Sequence, residues 1–163
     1  MKLILGALMP VNRLAITVSI VTGLRISDVL SIKASDLKKE RFQVVEQKTL
    51  KKRIIRIPLE LRKQMTAIAG PVWVFEHRYF PLEHRTRQAV YKDIKRAAAA
   101  FRIKKINVSP HSARKIYAVE EFKKDMNLKR VKELLNHSSE AVTLIYAMAD
   151  EITARRQQKK NSL

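Results

Sequence analysis

Arg41-Phe42-Gln43-Val44-Val45-Glu46-Gln47-Lys48-Thr49-Leu50-Lys51-Lys52-Arg53-Ile54-Ile55-Arg56-Ile57 holds two β-branched runs, 41–46 and 53–57, on either side of a basic turn. Such runs joined by a short polar stretch predict an antiparallel hairpin. Pro58 ends the second run and suits the first turn of a helix. Residues 59–69 then have helical composition, and Gly70-Pro71 breaks it.

Helices are expected on both sides of this hairpin. Residues 11–22 read as a buried helix, with Gly23 placed to stop it because glycine accepts the left-handed conformation. A short helix is expected over 26–32, with Asp36 in the loop beyond. Val72-Trp73-Val74-Phe75 is expected as a short third strand, and 77–85 as loop. Thr86 can cap a helix that runs to about Phe101. Ser109-Pro110 reads as a cap followed by proline at the first helical position. Asn127 can cap 128–135, and Ser138 or Ser139 the helix that carries Tyr146. Residues 150–158 are expected as a last polar helix and 159–163 as a tail. Met1 to Leu8 reads as the buried or frayed start of a helix and lacks the cleavage site of a secretory leader. The expected fold class is mainly α with a small antiparallel β-sheet (α+β).

The 163 residues suffice for one domain with a sizeable core. Lys and Arg number 34 against 15 Asp and Glu, a net charge of +19, and the excess is concentrated in residues 41–105. With 46% hydrophobic residues this is a folded basic domain, not a disordered basic tail. A polyanion is the expected partner, nucleic acid first among them. Charge alone also suits a ribosomal or membrane-surface role. The absence of cysteine excludes disulfides and thiolate metal sites and is compatible with a reducing cytosol. The longest apolar stretch, 14–21, is too short to span a bilayer.

Several residue groups can carry chemistry, each with a plainer alternative. Arg25 follows the Gly23 stop and opens a helix, and Asp28, three residues on, can hold its guanidinium. The pair can equally be a surface ion pair. His111 and Arg114 are spaced i, i+3, so both can reach one phosphate, the guanidinium fork matching two phosphate oxygens. A solvated helix face has the same pattern. His137 lies in a turn, and Tyr146 follows nine residues later among Val142, Leu144 and Ile145, where a tyrosine also suits a core. Lys48 sits at the hairpin tip, where a lysine is either solvated or, if the hairpin enters a DNA groove, close to the scissile phosphate.

The ordered set is Thr22-Gly23-Leu24-Arg25-Ile26-Ser27-Asp28, Gln47-Lys48-Thr49, His111-Ser112-Ala113-Arg114, Leu134-Leu135-Asn136-His137, then Tyr146. It resembles the tyrosine recombinases, or phage integrases, from about Asn12 to Asp150. The resemblance implies their catalytic-domain fold. It also implies that Arg25, Lys48, His111, Arg114, His137 and Tyr146 occupy the family's six active-site positions, with Asp28 supporting Arg25. Three positions depart from the usual pattern: Asn136 stands where glycine is common, and Ala113 and Lys115 replace the Leu and last His of His-x-Leu-Arg-His. None of them removes a catalytic functional group. Family members commonly carry an N-terminal core-binding domain as well. This sequence has no room for one, so 1–163 reads as a single catalytic domain.

By the same resemblance, Tyr146 attacks phosphorus and leaves a 3′-phosphotyrosine. Arg25 and Arg114 bind the transition state, His111 takes a proton, Lys48 protonates the leaving 5′ oxygen, and His137 bonds a phosphate oxygen. The expected partners are double-stranded DNA and further copies of the chain, a monomer without DNA and a tetramer in the synaptic complex, with no membrane. Lys51, Lys52, Arg53 and Lys115 are expected DNA contacts. No cofactor or ATP is expected, and the arginines take the place of a metal. A cytoplasmic, DNA-associated location in a bacterium or phage-infected cell is implied, as part of a phage or mobile element. A type IB topoisomerase-like nicking-closing enzyme, a non-catalytic basic DNA-binding module and an RNA-binding protein remain as alternatives.

Overall fold

Gly23 adopts φ 69° and its N–H donates to Ser19 O at 2.9 Å, so the second helix stops where glycine alone is unstrained. This computed structural model describes residues 2–102 and 108–135. The chain divides into two compact units, Met1–Arg114 and Lys115–Leu163.

The first unit begins with α1 (Lys2–Ala7), α2 (Pro10–Thr22) and α3 (Ile26–Leu30). Pro10 at the start of α2 fits the first helical turn, where no N–H partner is lost. A 3-10 turn follows over Ala34–Lys38, in what the sequence suggested was loop, with Lys33 N–H donating to Asp36 Oδ2 at 3.1 Å. Strands β1 (Arg41–Val45) and β2 (Lys52–Arg56) then form the expected antiparallel hairpin, with Phe42 opposite Ile55 and Val44 opposite Arg53. Phe42, Val44 and Ile55 face the core, as the two-residue period of a strand requires. α4 (Leu59–Ile68) follows Pro58 and buries Leu61 and Met65.

The third strand does not form. Residues 72–76 make two isolated bridges, Lys33 with Trp73 and Glu76 with His84. Val74 N–H donates to Ile32 O and Ala34 N–H to Val72 O, so this segment pairs with the stretch after α3. Consecutive Val74 and Phe75 are both fully buried, which a strand with one exposed face does not allow.

α5 (Arg87–Ala100) starts at Thr86, whose Oγ1 accepts from Ala89 N–H at 3.1 Å as expected of a cap. Its buried Asp93 accepts from Met9 N–H at 2.8 Å and Asn12 Nδ2 at 2.7 Å, while Asn12 Oδ1 accepts from buried Arg85 at 2.6 Å. This polar network ties the α1–α2 junction to α5 inside a core that includes Leu14, Ile16, Val29, Leu30, Val90 and Ile94.

α6 (His111–Asp125) begins one residue after Pro110. The Ser109 cap differs from expectation: its N–H donates to Ser112 Oγ at 3.2 Å, and Ser112 N–H returns to Ser109 O at 2.9 Å. Arg114 closes the first unit. In the second unit, α7 (Leu128–Leu134) is capped by Asn127, whose side chain accepts from Arg130 N–H at 3.0 Å. Tyr117, Ala118, Phe122, Val131 and Leu135 form that unit's own core.

Candidate active site

The corner between α2 and α3 is rigidly bonded. Ser19 Oγ donates to Leu24 O at 2.7 Å, Thr22 Oγ1 donates to Val18 O at 2.7 Å, and Leu24 N–H donates back to Thr22 Oγ1 at 3.3 Å. Arg25 follows in extended conformation (φ −63°, ψ 149°) as the N-cap of α3, its carbonyl accepting from Val29 N–H at 3.0 Å. Its side chain therefore leaves from a fixed point.

That side chain reaches the hairpin. Arg25 Nη1 donates to Glu46 Oε2 at 2.5 Å, and Thr49 Oγ1 donates to the same oxygen at 3.1 Å. Glu46 is fully buried. Its other oxygen, Oε1, lies 3.9 Å from Arg53 Nη1, and Arg53 Nη2 donates to Thr22 O at 2.6 Å. Asp28, also fully buried, bonds the hairpin and not Arg25: Gln47 N–H donates to its Oδ1 at 2.9 Å. Its Oδ2 has no hydrogen-bond partner among the described residues. Two links thus cross between α3 and the hairpin turn in opposite senses, and Lys48 lies directly beyond them, exposed.

Arg114 joins the cluster from the first turn of α6, buried, with 4% of its surface exposed. Burial lowers its pKa to about 10, the charges of Arg25 and Arg53 act in the same direction, and Glu46 and Asp28 oppose them. Burial also pushes the Asp28 carboxyl above its usual range, helped by Glu46, against the Gln47 N–H and the charges of Arg25 and Arg114. Three guanidiniums therefore face two buried carboxylates, which leaves a net positive site for an anion.

Among the remaining expected residues, His111 is exposed at the start of α6, and Lys51 and Lys52 are exposed on the hairpin. Lys115 is exposed in the second unit. Arg53, also expected as a DNA contact, turns its guanidinium inward to Thr22 O and Glu46. His137 and Tyr146 lie outside the described residues, as does the expected helix of 150–158. Glu46 is the residue the motif comparison missed. Its signal was strand alternation: Phe42, Val44 and Glu46 share the inward face, as do Arg53 and Ile55 across the hairpin. No group of His, Asp and Glu among the described residues is arranged to hold a metal ion. None of the described helices is long and apolar enough to cross a membrane.

The fold is that of tyrosine recombinase catalytic domains. The crystal structure of the XerA recombinase matches with a TM-score of 0.73 at 19% identity, covering 98% of this chain and 60% of that one. The XerH site-specific recombinase, solved as a post-cleavage complex with a palindromic difH substrate, matches with a TM-score of 0.66 at 19% identity, covering 93% and 45%. In sequence, the phage integrase family model matches residues 3–152, and the chain belongs to that family. The probable integrase/recombinase YoeC of Bacillus subtilis is 30% identical over 82% of this chain and 75% of its own length. The tyrosine recombinase XerD of Rhizobium meliloti is 31% identical over 77% of this chain. The chain spans 43% of that second relative.

Proposed function

We propose that this chain carries the strand-cleaving groups of a site-specific DNA recombinase acting on double-stranded DNA. The observation that carries the reading is the convergence of Arg25, Arg53 and Arg114 on two buried carboxylates beside the turn of Lys48. A phosphodiester repels nucleophiles through its own negative charge. Fixed guanidiniums offset that charge and gain most when it grows in the five-coordinate transition state.

In this reading the Tyr146 phenol oxygen forms a bond to phosphorus as the bond from phosphorus to the 5′ oxygen breaks. The phenol proton passes to His111, and the Lys48 ammonium gives a proton to the leaving oxygen. His137 bonds a non-bridging oxygen. The products are a 3′-phosphotyrosine and a free 5′-hydroxyl, and attack by a different 5′-hydroxyl completes the exchange without ATP. Support for assembly into a multimer on DNA comes from a structural neighbour, a lambda integrase tetramer bound to a Holliday junction, with a TM-score of 0.58.

The test is a pool of nicked duplexes, randomised in sequence around the nick, incubated with the protein and resolved on a denaturing gel. A covalent adduct that is lost in Tyr146→Phe is expected, and sequencing the trapped DNA yields the preferred duplex. Folded wild-type protein that traps nothing from the pool sinks the reading.

A further inference from the structure

Glu46 occupies a position that folding alone does not favour. A carboxylate with no exposed surface loses its hydration, and it is held here by Arg25 at 2.5 Å, Thr49 at 3.1 Å and Arg53 at 3.9 Å. Buried ion pairs of this kind are often no more stabilising than apolar residues of similar volume. What such a pair does fix is direction. A guanidinium carries five N–H donors in a rigid plane. Glu46 engages one of Arg25's terminal nitrogens, so the plane of the fork is set, and no other described residue bonds the remaining nitrogens.

We propose that Glu46 is a positioning residue for Arg25: it holds the guanidinium in the orientation that meets the scissile phosphate, and Arg53 offsets its charge. This rests on the proposed recombinase reading, in which Arg25 binds that phosphate. The same carboxylate lies two residues before Lys48, and Gln47 between them is bound to Asp28. The phosphate-binding arginine and the turn that bears the proton donor are thereby registered to each other.

Charge and geometry separate cleanly in two substitutions. Glu46→Gln removes a negative charge from the site, so binding of the unnicked duplex tightens. It also weakens the grip on Arg25, so cleavage slows by about a hundredfold, the loss caused by misplacing a catalytic group by about 1 Å. Glu46→Asp keeps the charge and withdraws the carboxylate by one methylene, so affinity stays level while cleavage again slows. On a duplex with a neutral methylphosphonate at the scissile position the five-coordinate transition state carries one negative charge fewer for Arg25 to meet, so the cleavage deficit of Glu46→Gln should shrink.

The experiment measures affinity by fluorescence anisotropy and cleavage by adduct formation, on the duplex selected from the randomised pool. Slowed cleavage with tightened or level binding, the deficit smaller on the methylphosphonate, supports the proposal. Wild-type cleavage rates in both variants overturn it, as does a deficit that persists undiminished on the neutral linkage. Loss of folding in Glu46→Gln, seen by circular dichroism, shifts the decision to Glu46→Asp on the same readouts. If wild type itself forms no adduct, the recombinase reading fails, which is distinct from failure of the role of Glu46.

Discussion

The Asp28 carboxylate accepts from the backbone N–H of Gln47 at 2.9 Å, so a buried acid on a helix fixes the turn that presents Lys48. Asparagine keeps that acceptor and removes the charge. The folded pKa of Asp28 is raised by burial, so the folded chain holds this proton at pH values where the unfolded chain has released it. The stability this contributes is present in acid and is lost as pH rises from about 3.9 through the folded value. Relative to wild type, Asp28→Asn should therefore gain stability as pH rises through that window. Urea titrations at several pH values check this, and a constant difference would refute it.

Arg114 gives the opposite sign. Its folded pKa of about 10 lies below the ordinary guanidinium value, so the folded chain releases this proton first. Against Arg114→Met, wild type should gain stability as pH rises above about 10. At neutral pH the methionine variant should bind duplex DNA more weakly and with a shallower salt dependence. Melting and anisotropy measured on the same samples decide both points.

Leu50 sits in the hairpin turn with φ 56° and is 77% exposed. Left-handed backbone costs a side-chain-bearing residue roughly 1–2 kcal/mol, and asparagine tolerates it best among non-glycine residues. Leu50→Asn should raise the melting temperature. A fall would mean that the leucine side chain stabilises the turn by more than the backbone strain costs.

Asp93→Ala removes the shared acceptor of Met9 N–H and the Asn12 amide. Each buried donor left unsatisfied costs roughly 1–3 kcal/mol. A loss of that order in denaturant unfolding is expected, well above the effect of Thr86→Ala, a cap worth about 1 kcal/mol. Equal losses in the two variants would show that the Asp93 network is replaced by water.

Local devices were legible in the sequence because a few neighbouring residues determine them: the Gly23 stop, the Thr86 and Asn127 caps, and the hairpin flanking Lys48. The supposed strand at 72–75 was not legible, since its hydrogen bonds go to residues near 33, a partner that composition cannot reveal. At the site, motif order pointed to Arg25 and Arg114. The inward turn of Arg53 and the burial of Glu46 follow from a two-residue period that ends in charged residues, where a hydrophobic pattern gives no signal. The Asp28 contact was expected at Arg25 because of spacing along one helix; the hairpin turn supplied a nearer donor.

The links among Thr22, Arg25, Asp28, Glu46, Gln47 and Arg53 span at most 31 residues of sequence, whereas Arg114 comes from far downstream. A ribosome making this chain from its N-terminus therefore delivers both carboxylates together with Arg25 and Arg53 before Arg114 exists. The cradle is close to charge-neutral at that stage of synthesis, and its net positive character arrives with the last guanidinium.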